Sequence, residues 1–163
     1  LEASARALAR SVNRLALAGP AVIVATVPDL GLTPYAVAEK AAHADTDRAA
    51  LLTRLTAAFN RGLRLEVIND GRLIGMVFAD EQVQTMVRFP TAFSLTNVAA
   101  AACANAAAPP EVSPAALLDC TSAGLVTDAT EAGWLWADSL RLGPTGQSRL
   151  GLVAISRARN NPF

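Results

Sequence analysis

The chain has 163 residues, 52% of them hydrophobic and 17% charged, which sets aside disorder and provides for a sizeable core in a single domain spanning residues 1–163. Fourteen basic residues balance 14 acidic ones, so neither nucleic acid nor an anionic membrane is expected as the main partner. No apolar run approaches the roughly 18 residues of a membrane span, and no transmembrane segment is expected.

Thirteen of the 14 basic residues are Arg and Lys40 is the single Lys, a bias of the source genome with no functional content. The N-terminus shows neither an initiator Met nor a signal-peptide stretch, so the chain reads as a mature or truncated product. Glu2–Ala18 is expected to be a helix. Leu8, Val12 and Leu15 form one apolar stripe, and Arg6, Arg10 and Arg14 the opposite wet face. Gly19-Pro20 stops it. Ala21–Val27 is apolar, rich in β-branched residues and without polar alternation, as in a central parallel strand buried on both faces. Pro28–Pro34 then forms the loop at its carboxyl end, the edge where open α/β sheets bind ligands.

Tyr35–Ala44 is a short helix or a loop carrying His43, the single histidine, which reads as solvated. Asp45 or Thr46 caps a helix whose Leu51, Leu55, Phe59 and Leu63 recur every four residues. Leu65–Ile68 reads as a short strand and Asn69-Asp70-Gly71 as a turn. Leu73–Val77 is apolar and ambiguous. Asp80–Arg88 is a helix capped by Asp80 and ended by Phe89-Pro90, and Phe93–Asn97 is irregular. Val98 and Ala99–Ala102 lead to a loop of 16 residues between Cys103 and Cys120. That pair suggests a disulfide and an oxidising compartment, with two buried thiols as the alternative. A final helix is expected over Gly146–Arg159.

Asp138 and Arg141 stand three apart beside a Gly-Pro-Thr-Gly turn, an arrangement able to hold an acid and a basic partner. The sequence contains no metal-ligand cluster, Gly-rich phosphate loop or CxxC, and no cofactor is expected. Alternating helices and strands argue for part of a parallel α/β sheet. Two strands are too few to cover one as apolar as Ala21–Val27. Something else, either an N-terminal half of the same protein or a second chain, is expected to complete the sheet.

Several landmarks line up in order with one family. Val22–Val27 followed by Pro28-Asp29-Leu30-Gly31-Leu32-Thr33-Pro34 resembles the "V-x-x-x-P-D-L-G-x-T-P" strand and loop of secreted GDSL (SGNH-hydrolase) esterases and lipases. Phe59-Asn60 with Leu63 is similar to their "F-N-x-x-L" helix. Phe89-Pro90 and Phe93–Asn97 resemble "N-P-x-x-Y-G-F-T-N". Cys103 and Cys120 fall where these proteins often carry a cysteine pair. Trp134–Arg141 resembles "Y-L-F-A-D-G-x-H", the Asp-x-x-His block. The resemblance implies the C-terminal half of a doubly wound, flavodoxin-like parallel sheet flanked by helices. It also implies an acyl-ester hydrolase acting on a small ester or acyl ligand, and a secreted, periplasmic or cell-surface bacterial location. By position Asp138 matches the family's triad acid, and Arg141 stands where the family has its His. Arg keeps its proton and offers no lone pair, so it cannot be a general base. A catalytically dead binding or structural module is the alternative. Ser139 and the Thr33–Tyr35 loop would then line its cleft.

Overall fold

In the computed structural model, which describes residues 1–68, 72–103 and 120–160, the protein is a mixed α/β structure with small parallel sheets. Helix α1 (Glu2–Leu17) precedes strand β1 (Val22–Ala25). A short 3-10 turn at Leu30–Leu32 leads to α2 (Pro34–Ala42), α3 (Arg48–Glu66), β2 (Ile74–Val77) and α4 (Ala79–Arg88). A second 3-10 turn at Pro90–Phe93, β3 (Asn97–Ala101), a third at Ser122–Gly124, β4 (Trp134–Trp136) and α5 (Pro144–Asn160) follow. Strands β1 and β2 pair in parallel from Val22 opposite Ile74 to Ala25 opposite Val77. Strands β3 and β4 form a second parallel pair.

Helix α1 packs on α3 through small residues. Ala5, Ala9 and Ala16 are buried, with Val12 beside them, a set that also repeats at helical spacing. Leu8 and Leu15, expected to face the core, are 45% and 54% exposed. The close approach of α3 decides between the two stripes. A Cβ on Gly62 would stand 2.9 Å from the Glu2 carbonyl oxygen and 3.0 Å from the Ala5 Cβ, so leucines have no room in that seam. The α3 stripe is likewise only half right: Leu63 is buried and Phe59 partly so, but Leu51 and Leu55 are 39% exposed.

Other boundaries shift for local reasons. Asp47, not Asp45 or Thr46, caps α3 by accepting from the Ala50 N–H at 2.9 Å. The Lys40 ammonium, hydrogen-bonded to Asp47, and the Ala50 amide hold that carboxyl below its ordinary range. Leu65 and Glu66 belong to α3 and Val67 is its C-cap, so no strand forms over Leu65–Ile68. Phe78 is the N-cap of α4, with Asp80 inside its first turn. The expected Asn69-Asp70-Gly71 turn lies outside the described residues.

Strand β1 is not covered on both sides. The Val22 and Thr26 N–H groups donate across to Leu73 and Val77 carbonyls at 2.7 and 2.9 Å. By the alternation of a parallel ladder, the backbone groups of Ile23 and Ala25 therefore face the opposite edge. Among the described residues no strand lies there, and both residues are exposed, Ile23 by 38%. Two cores result. Ala5, Leu63, Val67, Ile74 and Met76 fill the first, and Val83, Met86, Leu95, Leu135, Trp136 and Leu142 the second.

Candidate active site

The Asp138 block is built on the end of β4. The Ala102 and Cys103 N–H groups donate to the carbonyls of Trp136 and Ala137 at 2.9 and 3.0 Å, extending the β3–β4 pairing. The chain then doubles back. The Ala137 N–H donates to the Arg141 carbonyl at 2.9 Å, Trp136 bridges Leu142, and the Gly143 N–H reaches the Leu135 carbonyl at 2.7 Å.

Asp138 closes this turn from inside. One carboxylate oxygen accepts from the Leu140 and Arg141 N–H groups at 2.8 and 2.6 Å. The other accepts from Arg141 Nε. The Asp138 side chain is fully buried, whereas that of Arg141 is 42% exposed. The carboxylate is thus committed to three donors within its own turn, in the manner of Asp side chains that fold local backbone around themselves.

Ser139 sits beside it, buried, with an Oγ that has no hydrogen-bond partner among the described residues. Its carbonyl accepts from the Tyr35 N–H at 3.0 Å, so Ser139 touches the N-terminus of α2. Of the Thr33–Tyr35 loop, Thr33 is structural: its Oγ1 donates to the Leu30 carbonyl at 2.7 Å and accepts from the Ala36 N–H at 3.2 Å. The structure therefore brings Asp138, Ser139, Arg141 and Tyr35 together. It leaves His43 apart, at the C-cap of α2 and about 12 Å along that helix from Tyr35. There the His43 ring is near Glu39, at 3.7 Å.

A second polar cluster, at the carboxyl end of β1, escaped the sequence reading. Asp29 is buried and accepts from the Gly31 N–H at 3.0 Å, Thr53 Oγ1 at 2.9 Å and Gln84 Nε2 at 2.9 Å. Asn60 pairs its amide with both backbone groups of Val27, at 2.9 and 2.8 Å. Thr26 Oγ1 donates to Asp80 at 2.7 Å, and Arg64 holds the same carboxylate at 2.8 Å. The signal existed: Thr53, Thr56 and Asn60 repeat at i, i+3, i+7, a polar stripe on the inward face of α3. The Asp29 carboxylate and the Asn60 amide are both satisfied within this cluster, so these two motif residues hold the loop and do no visible chemistry, while Arg64 Nε stays buried without a partner among the described residues.

Cys103 and Cys120 are bonded, with Cα atoms 5.5 Å apart. The Cys120 sulfur also lies 3.3 Å from the Ala137 carbonyl oxygen, so the bridge abuts the residue before Asp138. We expect reduction to remove about 3 kcal/mol of stability, the chain-entropy value for such a loop. Denaturant titration with and without reductant measures it, and an unchanged midpoint would exclude a stabilising bridge.

Among the described residues no three His, Cys, Asp or Glu side chains cluster as a metal site would require, and no helix is long and apolar enough to cross a membrane. No protein-family model matches the sequence, and no curated protein matches it either.

Proposed function

We propose that the chain is part of a GDSL-type acyl-ester hydrolase fold, contributing the acid arm of its site. One observation carries this reading. Asp138 is buried at the end of β4 and directs a carboxylate oxygen at the side chain three residues on, which is how the family's acid would hold its base. The ordered motifs from Val22 to Arg141 support it. So does the edge of β1 on which no strand lies among the described residues, where further strands of a doubly wound sheet would pair, supplied by the same protein or by a second chain. A disulfide fits a secreted, periplasmic or cell-surface protein.

A specific observation favours a second reading, a non-catalytic descendant that binds an acyl ligand. Arg141 fills the base position, and its guanidinium cannot accept the proton of a serine nucleophile.

Hydrolysis of short-chain nitrophenyl esters separates the two. An enzyme requires activity in the natural protein that Asp138→Ala removes. A binding module requires an inactive parent. If the remaining machinery is present, Arg141→His should then raise turnover by about a hundredfold or more, the usual contribution of a general base. An inactive parent that stays inactive as Arg141→His, while folded and binding no acyl ligand, counts against both.

A further inference from the structure

Behind the Asp138 turn lies a cavity of about 270 Å³ that the acid–base block does not use. Its walls are Trp134, Trp136, Leu125, Leu142, Pro144 and the Cys120 end of the disulfide. We propose that it binds a small neutral ligand presenting one aromatic ring with a hydrogen-bond donor, of the phenol or indole class.

The size sets the first limit. An apolar cavity of about 150 Å³ already accepts benzene, so this one has room for a ring and a substituent. The lining sets the second. Two indoles in one small apolar space favour a flat π-system over a saturated ring of equal volume, because aromatic pairs gain from offset or edge-to-face contact beyond the area they bury. The mouth sets the third. Glu131 and Gln147 line it with exposed side chains, and the Glu131 carboxylate accepts a hydrogen bond from an O–H or N–H at the outer end of the ligand.

The walls are fixed in place. Trp136 Nε1 donates to the Val98 carbonyl at 2.9 Å, Thr145 Oγ1 donates to the Ala132 carbonyl at 2.7 Å, and the Val126 N–H donates to the Ala102 carbonyl at 2.8 Å. With Cys120 bonded to Cys103, the segment from Cys120 to Val126 is tied at both ends. A site whose walls stay put needs little reordering on binding. The inference stands whether or not the protein turns over esters.

The test titrates phenol into the disulfide-bonded protein, followed by calorimetry and tryptophan emission, with cyclohexanol as the saturated control. Saturable binding that perturbs the emission is expected, with cyclohexanol weaker by about tenfold. Ser122→Trp and Leu125→Trp, which fill the space from one wall, should abolish it. Glu131→Gln, at an exposed position, should weaken it. Should both filling variants unfold, intermolecular NMR contacts from phenol to the Trp134 and Trp136 indoles locate the ligand in the parent protein. Absence of saturable binding, binding that survives a folded filling variant, or contacts to other residues would each overturn the site. Equal binding of cyclohexanol would overturn its aromatic selectivity.

Discussion

Gly31→Ala should destabilise the protein by about 3 kcal/mol, the upper end of overpacking costs. Gly31 lies in the 3-10 turn after β1, pressed against α3 and buried. A Cβ there would run into Thr53 Oγ1 and the Ala49 carbonyl oxygen, and would stand 2.8 Å from the Thr53 backbone nitrogen. Two of those three are backbone atoms of a 19-residue helix, which cannot step aside as a side-chain tip could. Relief requires the turn to lift off α3. That breaks the 2.9 Å bond from Thr53 to Asp29 and strips a buried carboxylate of one of its three donors. For a domain of this size, the loss corresponds to a fall in Tm of about 10 °C. Gly151→Ala is the opposite-signed control. It sits in α5 with nothing within 4 Å of the added Cβ, and should stabilise by up to about 1 kcal/mol. Thermal unfolding followed by circular dichroism compares the two. A Gly31→Ala protein that melts with the parent would show that the turn does not sit this close to α3.

The same seam shows what the sequence could and could not reveal. Periodicity located α1, α3, α4 and α5 to within a few residues, because their alternation of small, apolar and charged positions is strong. It did not choose between the two stripes of α1, since Ala5–Ala9–Val12–Ala16 and Leu8–Val12–Leu15 both fit a helix. The choice rests on Gly62, 46 positions beyond Ala16 in sequence, which draws the helices together until only alanines fit. Strand β3 was hidden for a related reason. Asn97–Ala101 is mostly alanine, which has little strand preference, and its extended form is set by pairing with Trp134 and Trp136. Hydropathy alone made Ala21–Val27 look enclosed. The exposed Ile23 shows that a β-branched run marks a strand without telling how much of it is covered. At the candidate site, the spacing of Asp138 and Arg141 was legible, because three residues bring them together in almost any tight turn. That the acid is sealed and its partner half in water depends on β3, β4 and the Cys103–Cys120 bridge converging there, which no local pattern encodes.

Asp138→Ala should cost about 3 kcal/mol, and more than Arg141→Gln, which should cost about 1 kcal/mol. The asymmetry follows from where the two side chains lie. Asp138 is fully buried and is the acceptor for two amides, at 2.8 and 2.6 Å, as well as for Arg141 Nε. Removing the carboxylate leaves the Leu140 and Arg141 amides without a partner inside the turn, and nothing of its shape remains to hold the return from Ala137 to Leu142. Arg141 is 42% exposed, so its deletion opens a path by which water can reach the carboxylate oxygen it leaves. Asp138→Asn belongs between them. Its amide oxygen can still accept from the two backbone N–H groups, but its NH2 would meet the Arg141 guanidinium donor to donor. Urea titration of the three variants orders them. The order Ala, Asn, then Gln from most to least damaging makes the acid the organiser of the turn and the cation its accessory. A reversed order would mean that Arg141 holds the block through contacts of its own. The buried acid would then be no remnant of a catalytic frame, and the proposal of an ester-hydrolase fold would lose the observation that carries it.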